Sequence, residues 1–253
     1  MRVGFNFASF DSLMEVTSNE DLPILQFYTH LTKDFSRTFT DVQMGEIQNL
    51  KKTMYVHSTF NTIPGKYYSK KFFEEQFRVC KMFGVKGIIV HIPNISIAEL
   101  VNGFKLFDMG DKSVTIYLEH VPGEYGASAE LMCNLYDALV RRYSSMRFGI
   151  CIDTCHVYAS GINLSDISHT KKYIEKIETT NAPILLHLND SHNELGTLID
   201  RHAPLGTRIW TPTNYSSLEY LLTKPWDAIL EMRPPEVLES INFVKKIQSE
   251  TQV

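Results

Sequence analysis

Asp153 and His156 stand three residues apart at the end of an apolar run, FGICIDTCH (148–156). Burying a charge there is costly unless it is paired or holds a metal. The same residue types close other apolar runs: His57, His91, Glu119, His187 and Glu231. Asp200 and His202 follow in NELGTLIDRHAPLG (193–206). Singly, each has an ordinary reading: a satisfied core or loop histidine, an aspartate N-cap, or, for Glu231, a pair with Arg233. Together they do not, because four carboxylates crowded on one mouth repel strongly without cations. Five imidazoles and four carboxylates make a nitrogen/oxygen set that suits zinc or manganese better than calcium and needs no thiolate. At roughly three or four protein ligands per ion, nine suit two or three ions. Asp200 and His202 are two apart, so in extended backbone they face one way and can share an ion. Asp153 and His156, if extended, face opposite ways and serve different ions.

Such a set needs elements that bring it together. Apolar runs at 2–8, 24–29, 53–59, 87–92, 115–120, 148–154, 183–190 and 227–232 predict eight strands. Helical spacing lies between them. Phe72, Phe73, Gln76, Phe77 and Cys80 fall on it within 69–84, with Gly84 as a stop signal. Leu131, Leu135, Ala138 and Leu139 form one stripe within 128–143, and SLEYLLTK and PEVLESINFVKKIQ predict the last two helices. Strands alternating with helices imply parallel βα units, and their simplest closed arrangement is an α/β fold, a single (β/α)₈ TIM barrel domain over 1–253. A doubly wound open sheet would need a Gly-rich phosphate loop after an early strand, and the first strand runs into NFASFDS instead. In a barrel the C-terminal strand ends build the site. Six of the eight predicted strands end in a metal-capable side chain.

Composition narrows the class. A chain of 253 residues with 43% hydrophobic and 21% charged residues is long enough for a sizeable core. No apolar run reaches the length of a membrane span, and MRVGFNFASFDS lacks the apolar stretch of a signal peptide. Cys80, Cys133, Cys151 and Cys155 form no disulfide framework, and the last two read as small core hydrophobes. A reducing compartment is expected: cytoplasm or nucleus, or a virion if the source is viral. The net charge of −4 gives no overall basic footprint for nucleic acid, so an anionic ligand must be drawn by local charge or a bound cation.

FGICIDTCHVYASG, LLHLNDSHNELGTLIDRHAPLG and IYLEHVPGEYG resemble the endonuclease IV family of apurinic/apyrimidinic endonucleases, with YVHSTF, IIVHIP and AILEMRPP in the expected order around them. The resemblance implies a (β/α)₈ barrel with three zinc ions (manganese in part as an alternative) that incises double-stranded DNA 5′ to abasic sites, as a monomer, in base excision repair. It implies that His57 and His91 hold the first ion, bridged by Glu119 to a second completed by Asp153, His187 and Glu231. His156, Asp200 and His202 would hold the third. Glu119 and Glu231 would be catalytic, setting the ion separation and orienting the attacking hydroxide, and trimming of blocked 3′ ends is a further expectation. Two ions can acidify a shared water and clamp the attacking and leaving oxygens. Lys33, Arg37, Arg201, Arg208 and Arg233 are candidate backbone contacts. Phe60 is a candidate wedge into the base stack, with core packing the equal alternative; Tyr28 and Phe35 are weaker wedge candidates. The chain departs from the family at Asn6, where a His is usual, and at His192, where a Lys is common. It is also short for the family. The competing reading is a metal-dependent sugar isomerase or epimerase on the same barrel, which leaves Asp200 and His202 without a role. A damage-binding protein without activity would need a broken ligand set.

Overall fold

The computed structural model describes residues 1–31 and 34–251. Among the described residues ten strands run in chain order: β1 (Arg2–Phe7), β2 (Ile24–Tyr28), β3 (Thr53–His57), β4 (Gly87–Ile92), β5 (Thr115–His120), β6 (Arg147–Asp153), β7 (Ile184–His187), β8 (Asp190–Ser191), β9 (His202–Ala203) and β10 (Asp227–Leu230). All eight predicted strands are present. They close into one parallel barrel, β1-β10-β7-β6-β5-β4-β3-β2, while β8 and β9 pair separately as an antiparallel ribbon. Parallel neighbours need crossover connections, and helices supply them. The helix Ser69–Met82 buries Phe73, Gln76, Phe77 and Cys80, as its spacing predicts, and Ala129–Arg142 buries Leu135 and Leu139.

Strand periodicity explains how the barrel positions a site. Ile24, Tyr55, Ile89, Tyr117, Cys151, Leu185 and Ile229 pack as one interior cluster. Side chains two apart on a strand face the same way. The next inward position on each of those strands is therefore Gln26, His57, His91, Glu119, Asp153, His187 and Glu231. An apolar layer thus supports a polar layer at the C-terminal end. Gly87 and Gly149 make room for the Tyr117 ring, since a Cβ at either would come within 2.5 or 2.7 Å of it. At the opposite end, buried Asp227 accepts from the Tyr55 phenol at 2.6 Å, Lys86 at 2.9 Å and Arg2 at 2.9 Å, so its charge is paired.

Candidate metal centre

Glu119 is fully buried at the middle of the polar layer. Its Oε2 lies 3.1 Å from His57 Nε2 and 3.1 Å from His91 Nε2, and its Oε1 lies 2.9 Å from His187 Nδ1. Glu231 Oε2 is 3.0 Å from the same His187 nitrogen. Beside this group, His156 Nε2 and His202 Nε2 each approach Asp200 at 3.1 Å, and His202 Nε2 lies 3.4 Å from Asp153 Oδ2. All nine candidate residues, those at strand ends together with His156, Asp200 and His202, therefore meet at one mouth. Donor atoms of eight of them fall into groups able to hold ions, namely His57, Glu119 and His187; Glu119, Asp153, His187 and Glu231; and His156, Asp200 and His202; His91 joins none of these groups and meets the site through Glu119 Oε2.

The polypeptide fixes which imidazole nitrogen faces the mouth. Nδ1–H of His57 donates to Ser58 O at 2.8 Å, that of His156 to His120 O at 2.7 Å, and that of His202 to Glu231 O at 3.0 Å. A carbonyl oxygen only accepts, so in the neutral ring each Nε2 is left with a free lone pair. His187 is turned the other way: its Nε2–H donates to Gln26 Oε1 at 2.9 Å, which leaves Nδ1 for the site. His156 Nε2 and His202 Nε2 are buried yet make no well-directed hydrogen bond. Buried polar atoms are rarely left so, and ring nitrogens already paired on their far side fit metal ligation.

A short turn of helix corrects one expectation. Asp153 and His156 are not in extended backbone, because the helix Thr154–Ala159 begins between them with Asp153 as its N-cap. Asp153 Oδ1 accepts from His156 N at 2.9 Å, while its Oδ2 faces Asn189 and His202. The ordinary capping role and the site role thus belong to the two oxygens of one carboxylate. The pair still contributes to separate groups, by helical turn rather than by strand alternation.

Charge follows the same arrangement. Burial pushes Glu119 upward, but His187 and His91 outweigh it and hold the carboxyl well below its usual range. Burial likewise opposes ionisation of Asp153, yet His156 and His202 bring it down to about 2. Burial disfavours the His156 imidazolium, but Asp153, Asp200 and Glu119 raise it to about 9. The carboxylates thus demand positive charge, from protons or from cations in their place.

Several contributors went unread in the sequence. Gln26 also donates to Glu231 Oε1 at 2.6 Å, coupling His187 to Glu231. Asn189 donates to Asp153 Oδ2 at 2.8 Å and accepts from Glu231 N at 2.9 Å. Asp190 accepts backbone N–H groups of Ser191 and Ile209, both at 2.7 Å, and of Thr207 at 3.1 Å, which anchors the chain beyond His202. Cys155 joins Asp153 and His202 as a further metal-capable group, but burial pushes its thiol up to about 12, consistent with a protonated core cysteine. Gln26 had a signal: it interrupts an apolar strand two residues after Ile24, at the inward position.

The candidate DNA contacts divide. Phe60 is 62% exposed, with its ring centroid 5.4 Å from that of His91, so it is not a core residue. Arg201 and Arg233, with His192 and Asn6, line a cavity of 540 Å³ that reaches His202 and Glu231. Arg37 is ion-paired with Asp41 at 2.5 Å, and Arg208 with Glu194. Lys33 lies outside the described residues. Two wedge candidates are corrected. Phe35 stacks on buried His30 at 4.3 Å and meets Phe72 at 4.2 Å. Tyr28 stands inside the mouth, its ring 5.0 Å from that of His57, because its position on β2 repeats the inward parity of Gln26.

Among the described residues, no helix is long and apolar enough to cross a membrane. Over 197 residues the chain is 29% identical to a probable AP endonuclease of African swine fever virus, covering 69% of this chain and 66% of that protein. The chain thus spans just under two thirds of that relative's length. The fold matches the crystal structure of AsfvAP:AG with a TM-score of 0.84 at 21% identity, covering 98% and 99% of the two chains. It matches endonuclease IV from Thermus thermophilus with a TM-score of 0.79 at 19% identity, covering 99% and 100%. Residues 49–247 match the family model described as xylose isomerase-like TIM barrel. With that match over most of its length and its closed eight-stranded barrel, the chain belongs to the xylose isomerase-like TIM barrel family.

Proposed function

We propose that the protein is a zinc-dependent apurinic/apyrimidinic endonuclease that hydrolyses the DNA phosphodiester 5′ to abasic sites and acts in base excision repair. The observation that carries this reading is the third group, His156–Asp200–His202, beside the Glu119-centred one. A sugar isomerase or epimerase needs one or two ions, and that group would be superfluous. The viral relative named as a probable AP endonuclease supports the same choice.

His57, His91 and Glu119 would hold one ion, Glu119, Asp153, His187 and Glu231 a second, and His156, Asp200 and His202 a third. Zinc so held supplies Lewis-acid stabilisation of developing charge on the phosphate and a water acidic enough to attack near neutral pH. The chain does the rest. Glu231, held by Gln26 and Asn189, would orient the attacking water. Arg201, Arg233 and His192 line a cavity suited to the flanking phosphates, which position the duplex without reading sequence. Phe60 stands exposed beside His91, where a wedge could fill the gap left by a missing base. Opening the duplex costs least at such a site.

Purified protein incubated with an abasic duplex should yield a 3′-hydroxyl and a 5′-deoxyribose phosphate, and a blocked 3′ end should also be trimmed. Intact abasic DNA together with isomerisation of a ketose would overturn the reading in favour of the isomerase.

A further inference from the structure

The inward positions of the strands continue below the apolar layer as well as above it. Asp227 lies two residues before Ile229 on β10, and Arg2 is its register partner on β1. Arg147 opens β6 on the same inward parity as Cys151. Lys86 immediately precedes β4, and β1, β6 and β4 stand on three sides of the closed ring. Lys86 Nζ reaches Asp227 Oδ2 at 2.9 Å although β4 and β10 are opposite one another in that ring. Side chains of this length therefore meet across the floor of the barrel.

A cavity of 840 Å³ opens there, at the far end from the candidate metal centre. Among the described residues its lining holds four cationic side chains, Arg2, Lys81, Lys86 and Arg147, and one carboxylate, Asp227. Lys81 is paired with Asp111 at 2.5 Å. Asp227 is buried and spends both oxygens: Oδ1 lies 2.7 Å from Arg2 Nη2, and Oδ2 accepts from Lys86 and from the Tyr55 phenol. Among the described residues Arg147 pairs with no carboxylate. One carboxylate thus stands against Arg2, Lys86 and Arg147, which leaves two positive charges unmatched in a chain of net charge −4. The three cationic side chains are within reach of a ligand, since those of Arg2 and Lys86 are 52% and 50% exposed and Arg147 is exposed.

That charge defines the ligand. A carboxylate brings a single negative charge, whereas a phosphate monoester brings about 1.5 to 2 near pH 7, with three strong acceptor oxygens. Guanidinium groups bind such oxygens in bidentate pairs, and an ammonium binds them as a point charge. Half-buried Trp226 and Pro183 add apolar lining, which suits the carbon body of an ester better than bare phosphate. We propose that this cavity is a second binding site, for a small phosphate monoester such as a nucleoside monophosphate, its phosphate held by Arg147, Lys86 and Arg2 and its body against Trp226. The site uses no residue of the mouth and stands whether or not the endonuclease reading does.

Equilibrium dialysis of adenosine 5′-monophosphate against the purified protein measures the binding. Tryptophan emission locates it, because the chain has two tryptophans and the other, Trp210, is fully buried. The monophosphate should bind saturably and change the emission. Inorganic phosphate should compete more weakly than the monophosphate, and adenosine should not compete. Arg147→Ala should weaken binding by about tenfold or more, the scale of one charged hydrogen bond, and Arg147→Lys should restore part of it. Circular dichroism of Arg147→Ala should match wild type, since the side chain has no ion pair to lose. Glu119→Gln should bind as wild type does, which separates this site from any phosphate held at the metal centre. Absence of saturable binding would overturn the inference, as would competition by adenosine. So would binding that survives Arg147→Ala but is lost in Glu119→Gln. Competition by inorganic phosphate as strong as that of the monophosphate would overturn the assignment to an ester.

Discussion

Gln26 Oε1 lies 2.9 Å from His187 Nε2, across 161 residues of sequence. That contact decides which nitrogen of His187 faces Glu119 and Glu231. Gln26→Met keeps the volume and removes the acceptor. A ring freed from such a partner typically loses 10–100-fold in metal affinity. Competition with a chelator should show a loss of about that size in the variant, with an unchanged circular dichroism spectrum. Wild-type affinity would mean that packing alone holds the ring.

Glu119→Gln should abolish incision and leave the fold intact. Its two oxygens face His57 and His91 on one side and His187 on the other. A neutral amide cannot balance cations there. Circular dichroism checks the fold and a gel assay on abasic duplex checks cleavage. Near wild-type cleavage would remove Glu119 from the bridging role.

Phe60→Ala should weaken binding of abasic duplex and barely change stability. A core phenylalanine costs about 3–5 kcal/mol on truncation, whereas a side chain 62% exposed should cost far less. A melting curve beside a binding titration separates the two effects. A large fall in Tm with unchanged affinity would contradict the wedge.

The metal-free and loaded proteins should respond to pH in opposite ways. His156 is raised from about 6.5 to about 9, so its stabilising contribution is full below about 6.5 and is lost as pH rises through about 9. Asp153 is lowered from about 3.8 to about 2, so its contribution is full above about 3.8 and is lost as pH falls through about 2. Metal ions need the deprotonated imidazole, and their binding releases protons. The gap in Tm between loaded and chelator-treated protein should therefore widen between about pH 5.5 and 8.5. A gap that narrows would show that His156 is not displaced from its proton by a cation.

The barrel and six of the converging residues, His57, His91, Glu119, Asp153, His187 and Glu231, were legible because both follow from period-two alternation, whereas His156, Asp200 and His202 lie outside the barrel strands. A strand that is apolar at one inward position and polar at the next marks the end of the core, as Tyr117 and Glu119 do. The turn of helix after Asp153 was less legible, since an aspartate at a strand end serves equally as a cap. Asn189 and Asp190 were hidden because their roles are contacts to distant backbone, which no local pattern announces. Tyr28 was misplaced for want of a parity argument: counted from Ile24, it faces inward rather than toward the duplex.

The central claim, three ions on nine side chains, is tested most directly by elemental analysis of dialysed protein. Inductively coupled plasma mass spectrometry should find about three zinc ions per chain, or manganese replacing part of them, given roughly three or four protein ligands for each ion. A single metal ion per chain would contradict the account.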